Sequence, residues 1–555
     1  MINLPFGLDD FSKIGGFYYV DKTLLIKDIL DYCQYRTILF TKPRRFGKSL
    51  NLSMIENFFT NHANNSSLFS KLSISSCGES YLIHQGAYPV IHVNFKDIAA
   101  NNYQDFCTDI EKEISRVFRC FPELINADTL FEIDQKRFLE IANEKCPSIN
   151  DYADALKLLT QLLYNYYGGK PCVVLVNEYD TPLSIAYQNG YYDQAISFFR
   201  KFYSSFSKSN PYVFFVLLTG ITEISKESIF SEMNNVDVYT VADKEFSEYF
   251  GFTEKEIEAM ASFYGLPIDM GLLRQWYGGF GADGTLYNPW SILCYFNRGK
   301  FDSYWVNTGS NYAIRQILGE DSTMLDVLND LLTNAVATFA WQRGISFRDL
   351  HSDKDILFSL LVHAGYLCYG ENQDGSKILR LPNLETRMAF QKEILSRTSY
   401  SVSLSKAKEL RIAIETCDEK KIASLFEEMI ASSFSYLDLS KEKEYQSMVV
   451  ALMAILFGEY SVKSEVVGRL GRCDVLLSPK KAGTLGIVIE IKKHKSRLSE
   501  AKMRDSAITA LAQIKKRNYY HELAVIGASP IFLYAFVFDS AKTYVKVETI
   551  TKPNK

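Results

Sequence analysis

The stretch Thr41-Lys42-Pro43-Arg44-Arg45-Phe46-Gly47-Lys48-Ser49-Leu50 constrains the fold more than any other. It follows the apolar run Thr37-Ile38-Leu39-Phe40 and opens a helix-patterned segment over 50–59, giving strand, loop and helix with Gly-Lys-Ser at the turn. That order builds a phosphate-binding loop. Backbone N–H groups and the helix N-terminus cradle phosphate oxygens, Lys48 reaches the β and γ phosphates, and the Ser49 hydroxyl binds Mg²⁺. Arg45 and Gly47 complete the expected contacts of this loop with ATP. The pattern G-x-x-x-x-G-K-[ST] is only partly met, because Lys42 and Pro43 stand where the first glycine belongs. The alternative is a basic strand-to-helix turn with no ligand.

Further strands and helices alternate after it. The order is a short strand from 17 ending in Asp21, a helix over 24–32 capped by Asp21 or Thr23, the buried strand Pro89-Val90-Ile91-His92-Val93-Asn94-Phe95, and amphipathic helices over 103–118 and 153–167. Cys172-Val173-Val174-Leu175-Val176 then delivers Asn177-Glu178-Tyr179-Asp180, and Tyr212-Val213-Phe214-Phe215-Val216-Leu217-Leu218 ends in Thr219-Gly220. Such alternation predicts a mostly parallel sheet covered on both faces, with ligands at the carboxyl ends of the strands. In phosphate-loop ATPases the acidic strand ends in Asp-Glu, the Asp holding Mg²⁺ through water and the Glu polarising the attacking water. Here the metal position is Asn177, which contributes no charge. Glu178 is the candidate general base, and Thr219 sits where a neighbouring strand carries a γ-phosphate sensor. The plainer reading of these residues is that they only end strands.

At 555 residues, 47% hydrophobic and 14% aromatic, the chain has the composition of a soluble globular protein of several domains. A formal net charge of −4 excludes a globally basic nucleic-acid binder, so such contact must come from a local patch. The ten cysteines form no C-x-x-C pair and no His/Cys cluster, which argues against zinc and for reduced thiols in the cytoplasm. Residues 1–11 lack the pattern of a signal peptide, and the longest apolar run, 448–457, is too short to span a membrane.

In combination, Tyr19-Val20-Asp21-Lys22-Thr23, Pro43-Arg44-Arg45-Phe46-Gly47-Lys48-Ser49, Asn177-Glu178-Tyr179-Asp180, Thr219-Gly220, and Ser228-Ile229-Phe230-Ser231 to Asn234-Asn235 resemble the bacterial AAA-ATPase-like family. Trp276-Tyr277-Gly278-Gly279-Phe280, Tyr287-Asn288-Pro289-Trp290-Ser291 and Tyr304-Trp305-Val306-Asn307-Thr308-Gly309 fit its lid region. The resemblance implies a nucleotide-binding module whose loop lacks the first glycine. Asn177 departs from the family's Asp-Glu-Tyr-Asp, and Glu223 stands where a basic residue is expected. Both departures bear on hydrolysis more than on binding. The lid aromatics are expected to anchor packing, with base stacking as the alternative, and Arg274 is a candidate reader of the γ-phosphate.

The second chemically informative region begins at residue 441. A helix runs to Phe457, followed by an upstream Glu465, the segment Gly471-Arg472-Cys473-Asp474-Val475-Leu476-Leu477, a turn over 479–483, and Leu485-Gly486-Ile487-Val488-Ile489-Glu490-Ile491-Lys492. An antiparallel hairpin brings Asp474 to Glu490, and the period of two puts Glu490 and Lys492 on one face. This is the D…E-x-K constellation of PD-(D/E)XK nucleases. Asp474 and Glu490 would bind Mg²⁺ or Mn²⁺, and Lys492 would orient the attacking water or stabilise the phosphate. Ala510-Leu511-Ala512-Gln513-Ile514-Lys515 to Tyr519 resembles that domain's last motif and implies Gln513 beside the metal. Between 480 and 517 there are eleven Lys or Arg against three Asp or Glu, a local basic character suited to backbone phosphates.

The expected fold class is α/β: a phosphate-loop, AAA-like parallel sheet over 1–245, a helical lid over 246–320, a mixed module over 321–400, a helical connector over 401–440, and a restriction-endonuclease-like α/β domain over 441–555. A winged helix is one reading of the mixed module. The expected function is a cytoplasmic, nucleotide-regulated, metal-dependent nuclease acting on nucleic acid, DNA first, with a homo-oligomer as an expected assembly and no membrane partner. Two other readings stay open. One is a nucleotide-binding switch or scaffold with impaired ATP hydrolysis and no nuclease turnover; the other is a nucleic-acid remodeller without cleavage.

Overall fold

Uncharged runs rich in β-branched and aromatic residues suit strands covered on both faces. In the computed structural model such runs form β1 (Thr37–Thr41), β2 (Val90–Asn94), β3 (Cys172–Asn177) and β4 (Val213–Gly220), and the half-buried β5 (Val236–Tyr239), which carries Asp237, joins them. The five strands make one sheet of order β2-β3-β4-β1-β5, and every pairing is parallel. The structure describes residues 3–32, 36–125, 127, 130–224, 229, 236–305, 331, 337–350, 353–371, 376–397, 404–433, 442–457, 460–468, 471–479, 481–494, 496–539 and 542–551. The motif around Ser228-Ile229-Phe230-Ser231 to Asn234-Asn235, apart from Ile229, lies outside the described residues, as do Val306-Asn307-Thr308-Gly309 and Arg469-Leu470.

The chain divides into two units, Met1–Ala313 with Phe339–Lys377 and Pro382–Thr386, and Ile314–Thr338 with Ile378–Leu381 and Arg387–Lys555. In the first, helices Lys48–Phe59, Tyr103–Arg119, Ala155–Tyr166 and Tyr192–Ser207 accompany the parallel sheet. The strand expected from 17 to Asp21 is not formed, Phe17 making only a bridge to Asn3. Asp21 accepts the N–H and hydroxyl of Thr23 at 2.9 and 2.6 Å at the start of helix Leu24–Tyr32, the place expected for it. Lid helices Glu254–Tyr264, Met270–Tyr277 and Pro289–Arg298 follow. The first carries a reciprocal capping box between Thr253 and Glu256. Tyr277 and Tyr287 are buried with Ile257, Met260 and Ile292 in a core of their own. Short strands β6 (Ala337–Phe339), β7 (Cys368–Glu371) and β8 (Lys377–Arg380) and helices Lys354–His363 and Leu384–Arg397 fill the mixed region.

In the second unit, β9 (Ser461–Gly468), β10 (Gly471–Ser478), β11 (Gly486–Lys493), β12 (Ile531–Phe538) and β13 (Thr543–Ile550) form a mixed sheet. Only β11 and β12 run parallel, the other pairs being antiparallel. Alternation along β11 separates two cores. Ile487, Ile489 and Ile491 join one, while Val488 joins Met503, Ala507, Leu511 and Ile514 of helix Glu500–Arg517 in the other.

Helices Leu404–Glu415 and Glu419–Ser433 occupy the span expected as a connector, and they pack on this sheet. Leu410, Ile414, Ile422, Leu425, Phe426 and Met429 are buried with Tyr534, Phe536 and Phe538. The Tyr534 hydroxyl donates to the Ile414 carbonyl at 2.7 Å, and the Val547 N–H to Glu419 at 2.9 Å. Charged residues on the outer face conceal this apolar stripe in the sequence. Among the described residues no helix is long and apolar enough to cross a membrane, and every cysteine is a free thiol.

Phe426 is fully buried against Phe536 and Phe538. Phe426→Ala is therefore expected to cost about 3–5 kcal/mol of the C-terminal unit's stability, read as a lower urea midpoint for its unfolding transition.

Candidate functional site

Gly47 precedes helix Lys48–Phe59 with φ 84°, and Arg45 two positions earlier adopts φ 65°. Left-handed backbone costs glycine nothing but strains arginine, and strain of this kind collects at ligand loops. Lys48 is buried, and its Nζ donates to the Lys42 and Pro43 carbonyls, both at 2.8 Å. Burial pulls its ammonium down to about 8, opposed by the nearby charges of Glu178 and Asp180. Lys42, in place of the missing glycine, is also buried. Its Nζ donates to the Thr240 carbonyl at 2.6 Å, and burial lowers it to about 8. The lysine thus ties the loop to the residues after β5 and does not face a ligand.

At the ends of β1, β3 and β4 the structure joins Ser49, Asn177 and Thr219. Asn177 Nδ2 donates to Ser49 Oγ at 3.2 Å and to Asn94 Oδ1 at 3.2 Å, while Thr219 Oγ1 donates to Asn177 Oδ1 at 2.9 Å. Asn94, at the end of β2, is a member of this cluster that sequence reasoning misses; only its place at a strand's carboxyl end could have drawn notice. Glu178 follows β3 with φ 56° and accepts from the Thr181 hydroxyl at 3.1 Å. Asp180 is buried, and its Oδ2 accepts from the Ile221 N–H, the Thr222 N–H and the Thr222 hydroxyl at 2.8–2.9 Å. It ties down the turn after β4.

A cavity of about 730 Å³ opens over these residues, bordered by Arg44, Arg45, Lys48, Glu178, Trp290 and Trp305 among others. That size suits a nucleotide. Two lid tryptophans border it and also pack as expected of anchors, Trp305 against Phe280 and Tyr366 and Trp290 against Phe6. The Arg45 guanidinium lies 4.6 Å from the centre of the Trp290 ring, and the Trp305 indole donates to the Arg44 carbonyl at 3.0 Å. Arg274 is not among the bordering residues. Both Glu254 oxygens hold its exposed guanidinium, at 2.7 and 2.8 Å, so it is no reader of phosphate here. Glu223 is buried, and the Arg343 guanidinium lies 3.4 Å from its carboxylate.

In the second unit, Val475 pairs with Ile489 and Leu476 with Val488, so one step along the same register Asp474 faces Glu490. Asp474 Oδ2 accepts from the Ile491 N–H at 2.7 Å. Glu490 Oε1 accepts from Lys492 Nζ at 2.9 Å and from Gln513 Nε2 at 2.5 Å. Gln513 arrives from helix Glu500–Arg517, the element packed over this face of the sheet. Glu490 is 2% exposed, and its Oε2 is buried with no hydrogen-bond partner among the described residues. Burial pushes the Glu490 carboxyl up to about 7, the charge of Asp474 raises it further, and Lys492 opposes the rise. Ser464 pairs with Val475 and Val466 with Cys473, which puts Glu465 at the register position facing Asp474; its side chain lies outside the described ones. Among the described residues no third acidic, His or Cys side chain joins a metal-holding group.

Residues 5–230 match the family of predicted AAA-ATPases, and residues 440–548 match the PD-(D/E)XK nuclease superfamily. One curated relative, the "Uncharacterized protein in vnfD 5'region" of Azotobacter chroococcum mcd 1, is 28% identical over 403 residues, 71% of this chain and 70% of its own length. Among solved structures, the Aeropyrum pernix ORC2 protein in its ADPNP-ADP complexes is 11% identical with a TM-score of 0.27, over 68% of this chain and 94% of that one. PCH-2 of C. elegans is 12% identical with a TM-score of 0.18, over 61% of this chain and 64% of that one.

A divalent cation held by Asp474 and Glu490 would need the ionised carboxylate, and burial pushes the Glu490 carboxyl up to about 7. Below that pH the cation must displace a proton. Mn²⁺ affinity at Asp474 and Glu490 is therefore expected to fall by about tenfold per pH unit below 7 and to level off above it. Titration calorimetry between pH 5.5 and 8.5 measures this, and Glu490→Gln should flatten the profile.

Proposed function

We infer that this chain, which joins an AAA-ATPase-like domain at residues 5–230 to a PD-(D/E)XK nuclease superfamily domain at residues 440–548, is a nucleotide-regulated, metal-dependent nuclease. Its substrate is nucleic acid, DNA first. The observation that carries the reading is the orphaned carboxylate oxygen of Glu490, buried beside Asp474 with no donor among the described residues. A buried charged oxygen is costly unless paired, and a divalent cation is a partner of the right charge and chemistry for two neighbouring carboxylates.

Asp474 and Glu490 would hold that ion, leaving its other positions to water and substrate oxygens as Mg²⁺ commonly requires. When bound, the metal polarises the scissile phosphate and lowers the pKa of a coordinated water. The side chains around it have separate tasks. Gln513, donating to Glu490 Oε1, fixes the carboxylate and leaves the buried Oε2 without a hydrogen-bond partner among the described residues. The Lys492 ammonium, 2.9 Å from Glu490 and partly exposed, is placed to orient the attacking water or to offset the phosphate's growing charge. Lys502 and Lys516 on the exposed side of helix Glu500–Arg517 would neutralise backbone phosphates without reading bases. In the N-terminal unit the loop at Gly47, Lys48 and Ser49 would bind ATP, and its occupancy would govern the nuclease. That direction of control rests on the presence of both domains in one chain.

Asn177 favours a second reading on the ATPase side. A neutral residue replaces the carboxylate that family members use, which suits a switch operated by nucleotide binding more than one driven by turnover.

With Mg²⁺ or Mn²⁺ present, the full chain is expected to cleave linear, circular or single-stranded DNA in gel assays. Glu490→Ala should abolish cleavage and Lys492→Ala should slow it by about 10²–10³-fold. Lys48→Ala should remove the response to ATP while leaving the cleavage chemistry intact. Metal-dependent cleavage unaffected by Glu490→Ala would sink the nuclease reading, and cleavage indifferent to both ATP and Lys48→Ala would sink the coupling.

A further inference from the structure

The position next to Ser49, where phosphate-loop enzymes gather negative charge for Mg²⁺, is made of neutral groups. Ser49, Asn177, Asn94 and Thr219 are hydrogen-bonded to one another there. Asn177 is 1% exposed and all its polar atoms are engaged. Either orientation of its amide leaves it uncharged, so the electrostatic consequence does not depend on which atom faces Ser49. The two nearby carboxylates do not replace the missing charge. Three donors hold Asp180 Oδ2; Oδ1, buried with no hydrogen-bond partner among the described residues, is packed against Gly220, where an added Cβ would come within 2.6 Å of it, and the charge of Asp180 acts on Lys48. Glu178 borders the cavity, with Oε2 accepting from the Thr181 hydroxyl and its charge acting on Lys48.

Positive charge, in contrast, is plentiful on the phosphate side of the cavity. Arg44, Arg45 and Lys48 all border it. Arg44 and Arg45 are exposed within the loop, and Arg45 rests on the face of Trp290 at 4.6 Å. The N-terminus of helix Lys48–Phe59 adds its own partial positive charge.

We propose that this site binds ATP as the metal-free tetra-anion, with Arg44, Arg45 and Lys48 supplying the charge that Mg²⁺ supplies elsewhere, and that the residues beside Ser49 do not hold a divalent cation. The proposal rests on the nucleotide-binding reading of the loop. It separates the chain's two phosphate chemistries, one needing a metal at Asp474 and Glu490 and one needing none at Ser49. Chelation would then stop the nuclease while leaving nucleotide in place.

The test is equilibrium dialysis of labelled ATP against the full chain, once with excess Mg²⁺ and once with EDTA. The expected result is binding in both, with dissociation constants within about threefold of one another. Asn177→Asp should create a metal requirement, with EDTA weakening ATP by about tenfold or more. Arg45→Ala, an exposed change, should weaken wild-type binding about equally in both buffers. Tenfold weaker wild-type binding in EDTA would overturn the proposal while leaving the nucleotide reading intact. No binding in either buffer would overturn both. Should Asn177→Asp fail to fold, the wild-type comparison and Arg45→Ala still decide between these outcomes.

Discussion

Parallel register between neighbouring strands holds the N-terminal site together. Phe40 of β1 is level with Thr219 of β4, and Thr41 with Gly220, while β3 lies on the other side of β4 with Val176 level with Leu218. Because parallel strands finish at the same edge, the loop from Lys42 to Ser49, the turn from Asn177 to Asp180 and the polar end of β4 emerge together. The fit at that edge is tight. A Cβ on Gly220 would come within 2.6 Å of both Asp180 Oδ1 and Tyr179 Cε1, so β4 can approach the acidic turn only with glycine there. Asn177 is hydrogen-bonded across that junction and adds no charge to it.

The C-terminal site obeys a different geometry. Antiparallel pairing sets Asp474 against Glu490, and the alternation of side chains along β11 sends Ile489 and Ile491 into one core while Glu490 meets Gln513 on the other face. A strand buried on both sides leaves a carboxylate little access to water, hence the raised Glu490 carboxyl. The helices at Leu404–Glu415 and Glu419–Ser433 cover the first of these faces. They stabilise the sheet without touching the chemistry, as cores commonly do for sites built at their margins.

Much of this is legible in the residues. Uncharged apolar runs mark the strands β1 to β4, and turn residues between two such runs mark the hairpin of Asp474 and Glu490. What escapes depends on contacts distant in sequence. The Trp305 indole meets Arg44 across a separation of 261 residues, and Asn94 joins Asn177 from another strand. No local pattern encodes either contact. Arg274 looks available for phosphate because the sequence does not reveal that Glu254 holds it. Surface charge hides the stripe through Leu410, Ile414, Ile422 and Phe426, and the segment at 17–21 makes a single bridge, Phe17 to Asn3, in place of a strand pairing.

The two proposed sites have opposite requirements for a divalent cation. Anomalous diffraction from crystals of the full chain grown with MnCl₂ and a non-hydrolysable ATP analogue tests that division most directly. The expected result is a manganese peak about 2.1 Å from carboxylate oxygens of Asp474 and Glu490, with the analogue's phosphates seated at Lys48 and no peak beside Ser49. A peak beside Ser49, or none between Asp474 and Glu490, would contradict it.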